Sequence, residues 1–131
     1  MRVYLFIVFL IAGIFLFAGH ATEVNVVKPR ILYGTASFYS NSFNGKKTAN
    51  GEIYSHKKMT AACNVLPLGT WIKVTNLRNG KSVVVKTNDR LHSKMKRVID
   101  LSREAADKLD YVKSGLTRVR VEVIGKKKPE K

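Results

Sequence analysis

Arg78-Asn79-Gly80 stands between WIKVTNL (71–77) and KSVVVKTN (81–88), two runs rich in β-branched residues. An Asn-Gly pair in that setting is the strongest short-range signal for a β-hairpin, because both residues tolerate the positive φ of a tight turn. The chain around it repeats the pattern of short β-rich runs separated by turn residues. GTASFY (34–39), RVID (97–100) and LTRVRVEVI (116–124) each read as a strand, and VRVEV alternates in the manner of one buried and one wet face.

One segment departs from this. Leu101-Ser102 leads into REAADKLDYV (103–112), where Leu101, Ala105, Leu109 and Val112 share a helical face, Ser102 suits an N-cap, Glu104 suits the first turn and Gly115 follows the end. The residues therefore predict a mainly β domain, a small barrel with one short α-helix.

The first residues, MRVYLFIVFLIAGIFLFAGHA, have a different character. Arg2, an apolar run over 3–18 and small residues at 19 and 21 form a signal segment, cleaved near Ala21 or kept as an N-terminal anchor. Export to the periplasm or cell envelope follows in either case. The expected organisation is a signal segment over 1–21, a linker over 22–32, the domain over 33–125 and a solvated basic tail over 126–131.

The chain holds 24 Lys and Arg against 9 Asp and Glu, a formal charge of +15. Loss of residues 1–21 removes Arg2 and no acid, leaving +14. A surface this cationic attracts polyanions, which outside the cytoplasm are wall polymers and anionic membranes. A secreted nucleic-acid binder would rest on charge alone, since no nucleic-acid motif accompanies it, and none is expected as partner. With Cys63 as its single cysteine the chain forms no internal disulfide, so a packed core must hold the domain, here expected as a monomer. No metal-ligand spacing and no cofactor fingerprint is present, so no metal or cofactor is expected.

Against this basic background, Asp89 and Asp100 each end a predicted strand and are separated by a basic loop. GTASFYSNSFNGKKTANGEIYS, TAACNVLPLGTWIKVTNLRNGKSVVVKTNDR and RVIDLSREAADKL together resemble, in order and spacing, the rare lipoprotein A (RlpA-like) family. The resemblance implies a six-stranded double-psi β-barrel acting as a lytic transglycosylase on peptidoglycan glycan strands. It also implies Asp89 or Asp100 as acid/base, with Glu52 orienting substrate. Substrate contacts are expected from Thr48, Asn50, Asn88, Arg90 and Cys63, and from Tyr39 and Tyr54, whose rings suit sugar faces and whose hydroxyls reach water.

Phe38, Phe43 and Trp71 are further groove candidates or ordinary packing. Lys46, Lys47, Lys57, Lys58, Lys94, Lys96 and Arg97 bracket the acidic blocks, as a cradle for an anionic polymer would.

Three positions depart from the family pattern: Cys63 replaces a histidine, Ser55 an aspartate, and Leu91-His92 a Gly-Pro turn. Alternatives accompany each assignment. Asp100 could cap the helix, and Asp89 could pair with Arg90 or Lys86. Cys63 could be a small buried hydrophobe, or a nucleophilic thiol beside His56 or His92. The whole domain could be an expansin-like wall-binding module without chemistry.

Overall fold

The computed structural model describes residues 30–130. The expected signal segment and most of the expected linker lie outside the described residues. Six strands close into a barrel in the order β1-β5-β2-β4-β3-β6. They are β1 (Ile31–Phe38), β2 (Thr60–Ala62), β3 (Trp71–Asn76), β4 (Ser82–Asp89), β5 (Ile99–Leu101) and β6 (Thr117–Gly125), with the helix α1 (Arg103–Lys108) between β5 and β6. Two pairs, β1–β5 and β2–β4, are parallel and the rest antiparallel. This is the expected double-psi barrel.

The interior is filled by the inward residues of every long strand. Ile72, Val74, Val85, Ile99, Leu101, Val119 and Val121 are buried, and Ala105, Ala106 and Leu109 of the helical segment join the same cluster. The hairpin forms where the Asn-Gly pair places it, with Gly80 at φ 77°. Asn76 secures it from inside. Its Oδ1 accepts from Arg78 N and Thr117 Oγ1, and its Nδ2 donates to Leu109 O.

Four boundaries differ from the sequence reading. β1 begins at Ile31, inside the stretch assigned to the linker, because Ile31 and Leu32 pair with Glu122 and Val121 of β6. β2 has no counterpart among the strands read from local pattern, since three residues of Thr-Ala-Ala are too short to show a period. The helix is shorter: Leu101 belongs to β5, and Asp110 at φ 60° ends the helical turn. Ser102 caps it, accepting from Ala105 N at 3.3 Å, so Asp100 does not. The basic tail is not wholly solvated. Lys126 Nζ donates to Leu68 O at 3.1 Å and Lys128 lies over the Trp71 ring.

Gly34 is required by close approach. A Cβ there would stand 2.8 Å from Val98 Cβ, and Val98 is tied to β1 through its N–H to Thr35 O. Valine is stiff at χ1 and its Cβ cannot swing away. Gly34→Ala is expected to destabilise the barrel by about 1–3 kcal/mol in denaturant unfolding; an unchanged midpoint would contradict the packing.

Candidate active site

A groove of about 270 Å³ opens at the ends of β4 and β5. Its floor is Ala62, which is the register partner of Asp89 on one side and of Asp100 on the other. The two carboxylates thus stand two strand spacings apart, about 9–10 Å between Cα atoms, across a methyl group.

Local irregularity aims Asp89. In β4, Val83, Val85 and Thr87 point inward, so simple alternation would bury Asp89 as well. Between Ala61 and Ala62 the register advances two residues on β4, from Thr87 to Asp89, leaving Asn88 as the extra residue of a bulge. The bulge returns Asp89 to the outer face, a common use of this irregularity beside functional sites.

Three segments then hold the Asp89 carboxylate. Tyr39 Oη donates to Oδ2 at 2.6 Å, and Ala49 N and Arg90 N each donate to Oδ1 at 2.9 Å. Burial, reinforced by the neighbouring Asp89, pushes the Tyr39 phenol well above its ordinary range, so it remains a donor at any working pH. The ring of Tyr54 stacks on Tyr39 at 4.1 Å, fixing the phenol from behind.

Ala49 N reaches Asp89 because Thr48–Glu52 is a tight turn. Thr48 N donates to Glu52 O, Thr48 Oγ1 bonds Asn50 Oδ1, and Gly51 takes φ 92°. Asn50 N donates to Asn88 O, seating the turn on the bulge.

Asp100 is held differently. Arg97 Nε and Nη2 span its two carboxylate oxygens at 2.8 and 3.1 Å. The Arg97 side chain also lines the groove and is 28 % exposed. The remaining wall is largely apolar, with Phe38, Phe43, Leu91 and Met95, and carries His92.

The structure thus brings Asp89, Asp100, Tyr39 and Arg90 to one groove, with the groove candidates Phe38 and Phe43 and the basic Arg97, and leaves Glu52, Thr48, Asn50, Asn88, Tyr54 and Cys63 outside its lining. Glu52 pairs with Lys86 Nζ at 3.2 Å and hydrogen-bonds Asn50 Nδ2. The Asn50 bond, aided by Lys86, keeps the Glu52 carboxyl below its usual range. Thr48 and Asn50 build the turn rather than the wall. Asn88, the bulge residue itself, is buried, and Tyr54 is buried behind Tyr39, its hydroxyl bonded to His56 Nδ1.

Cys63 lies in the core at 1 % exposure. Its own backbone carbonyl, with that of Leu66, accepts from Arg90 Nη1, so Arg90 lines the groove while serving as an internal brace. Neither proposed ion pair of Asp89 forms, because Arg90 turns to these carbonyls and Lys86 to Glu52. A thiol nucleophile is likewise unsupported: His56 bonds Tyr54, and His92 Nδ1 accepts from Lys94 N. Trp71 stands elsewhere. Ala62 and Met95 escaped the sequence reading, having no chemical signature of their own, and Leu91 was noted only as part of the departure from a Gly-Pro turn.

Residues 32–121 match a family model described as lytic transglycolase. The endolytic peptidoglycan transglycosylase RlpA of Pseudomonas aeruginosa (strain UCBPP-PA14) is 54 % identical over 93 residues, covering 71 % of this chain and 27 % of its own length. Proteins of the same name from Campylobacter jejuni and Neisseria meningitidis serogroup B are 50 % and 45 % identical, over 70 % and 79 % of this chain and 34 % and 43 % of theirs. The chain therefore spans less than half the length of these relatives.

Among solved structures, Streptomyces papain inhibitor superposes with a TM-score of 0.59 at 20 % identity, covering 72 % of this chain and 94 % of that one. Apo-expansin of Clavibacter michiganensis gives 0.60 at 20 % identity, with 78 % and 53 % covered. At that identity the likeness is one of fold alone. The family model spans most of the chain and the barrel is the one expected of it, and so the chain belongs to the lytic transglycolase family.

Proposed function

We propose that the chain is an exported lytic transglycosylase of the cell envelope that cleaves MurNAc–GlcNAc bonds in peptidoglycan glycan strands. The observation that carries this reading is the pair of carboxylates facing one another across Ala62 in an open groove. Cleavage breaks the bond between C1 of MurNAc and the bridging oxygen, passing through an oxocarbenium-like state. The leaving oxygen takes a proton from an acid. The C6 hydroxyl of the same MurNAc then closes on C1 and yields its proton to the conjugate base, so no water is consumed and one carboxyl suffices.

Asp89 is the better candidate for that group. A group that takes up and returns a proton must not be locked to a permanent cation. Asp89 is positioned by neutral donors and has no ion-pair partner among the described residues, whereas Asp100 is spanned by Arg97. Asp100 faces the opposite side of the bound sugar, where negative charge stabilises the developing cation once substrate displaces Arg97. Glu52 orients substrate only indirectly, through the turn that fixes Asp89.

The test is mass spectrometry of purified sacculi after incubation with the protein. Products ending in 1,6-anhydro-MurNAc are expected. Binding to sacculi without such products would favour a non-catalytic wall-loosening module of expansin type.

A further inference from the structure

The exposed apolar side chains are not scattered over the barrel. Among the described residues nine large ones are exposed, and five of these gather on one side: Ile31 and Tyr33 of β1, Ile124 of β6, Leu116 just before β6 and Leu77 just after β3. They are between 40 and 59 % exposed. Alternation puts them on the outer surface. Val119 and Val121 point inward, so Leu116, Arg118, Arg120, Glu122 and Ile124 point outward. Register carries that facing to the flanking strands, with Ile31 beside Glu122, Tyr33 beside Arg120, and Lys73 beside Glu122. Leu77 N donates to Arg118 O, which sets Leu77 beside Arg118.

A concentration of apolar surface of this kind marks a contact face. Cations stand among the apolar groups. Arg120 is paired with Glu122 at 3.0 Å, whereas Arg118 and Lys73 have no ion-pair partner among the described residues. In the ring β1-β5-β2-β4-β3-β6 the strand opposite β6 is β2, which carries Ala62, the floor of the groove. The basic, apolar face and the aspartate groove therefore lie on opposite sides of the barrel.

We infer that the face made by β1, β6 and β3 docks on an anionic phospholipid surface. Tyr33 and the aliphatic side chains enter the headgroup boundary, where tyrosine is favoured, and Arg118 and Lys73 meet the lipid phosphates. The sequence preceding the face suits this occupant. Twelve residues, 19–30, separate the apolar run over 3–18 from Ile31. An extended chain of that length reaches at most about 40 Å, so a run kept in the bilayer holds the face close to it and raises its effective concentration there.

Other occupants fit this surface poorly. A glycan strand calls for a concave site, whereas the outside of a closed barrel is convex and none of the five apolar residues lines the aspartate groove. A second copy of the chain would set like charges against each other. Docked through β6, the protein turns its groove away from the bilayer and toward the wall. The inference needs the envelope location proposed above but not the cleavage chemistry.

The test follows the face directly in the full chain. Thr35→Cys, on β1 beside Arg118, and Lys94→Cys, in the exposed loop between β4 and β5, each give a site for an environment-sensitive fluorophore. Cys63 is buried and escapes the label. The labelled chain is reconstituted in phosphatidylcholine vesicles with and without phosphatidylglycerol. With phosphatidylglycerol, the label at position 35 is expected to shift its emission to the blue and lose roughly half or more of its acrylamide quenching, as a group at the headgroup boundary does. The label at position 94 is expected to change little.

Lys73→Glu with Arg118→Glu, both at exposed positions, is expected to abolish the response at position 35. High salt, which screens the same charges without any substitution, is expected to reverse it. An unchanged label at position 35, an equal change at position 94, an equal response to phosphatidylcholine alone, or indifference to salt would each overturn the inference. Protection of position 35 by purified sacculi in place of vesicles would also overturn it and give the face to the wall polymer. Release of anhydro products with an unchanged label at position 35 would remove the docking and leave the transglycosylase reading standing.

Discussion

Asp89→Asn is expected to lower release of anhydro-ended products from purified sacculi by about 10²–10⁴-fold, the usual range for loss of a positioned acid/base. The substitution is a clean probe because the site can absorb it. The Asn oxygen can keep the two backbone donors, Ala49 N and Arg90 N. Its amide nitrogen then faces Tyr39, whose hydroxyl can rotate to accept instead of donate. Folding is therefore expected to be disturbed by no more than about 1–2 kcal/mol.

Asp89→Ala would be the poorer experiment, since it strands three donors without an acceptor and confounds activity with stability. Asp100→Asn is the companion variant. It leaves Arg97 facing an amide at the groove rim, and a smaller loss, about tenfold, is expected if Asp100 acts only through its charge. A larger loss from Asp100→Asn than from Asp89→Asn would exchange the two roles. Full activity in both would remove the enzymatic reading.

The part of this arrangement that sequence made legible is the part carried by local chemistry. The Asn79-Gly80 turn, the alternation in β6 and the Ser102 cap each depend on residues within a few positions of one another, and each formed where expected. The aspartates were visible because acids are scarce in this chain and both end strands.

What stayed hidden depends on register between distant strands. Glu52 belongs to the same conspicuous stretch as Thr48 and Asn50, yet its carboxylate faces Lys86, because the tight turn presents a backbone N–H to Asp89 rather than a side chain to the groove. Cys63 looked like a groove position by analogy, but it follows Ala62 directly. In a strand, neighbouring residues face opposite ways, so if Ala62 is the floor of the groove the next side chain falls inside. Tyr39 and Tyr54 looked equivalent as aromatic candidates. Their stacking makes one the contact to Asp89 and the other its buttress, a distinction only the fold can draw.

Ala62→Leu is expected to abolish activity as thoroughly as loss of Asp89, although Ala62 carries no chemistry. Its methyl group is the floor between the two carboxylates, and three added carbons would enter a groove of only about 270 Å³. A sugar ring then cannot sit low enough for its glycosidic oxygen to reach Asp89. A displacement of about 1 Å from reacting geometry is enough to cost on the order of 10²-fold in rate.

Ala62 is buried against Tyr39, Tyr54 and Leu91, so leucine there is expected to cost about 1–3 kcal/mol of stability, as overpacking does, while the protein stays folded. The series Ala62→Gly, Ser, Val and Leu should therefore separate activity from stability. Glycine and serine should retain most of the product release, valine should lose part of it, and leucine should lose it while remaining folded. A leucine variant with normal product release would mean that glycan reaches Asp89 by another route, and the two aspartates would then no longer define a single site.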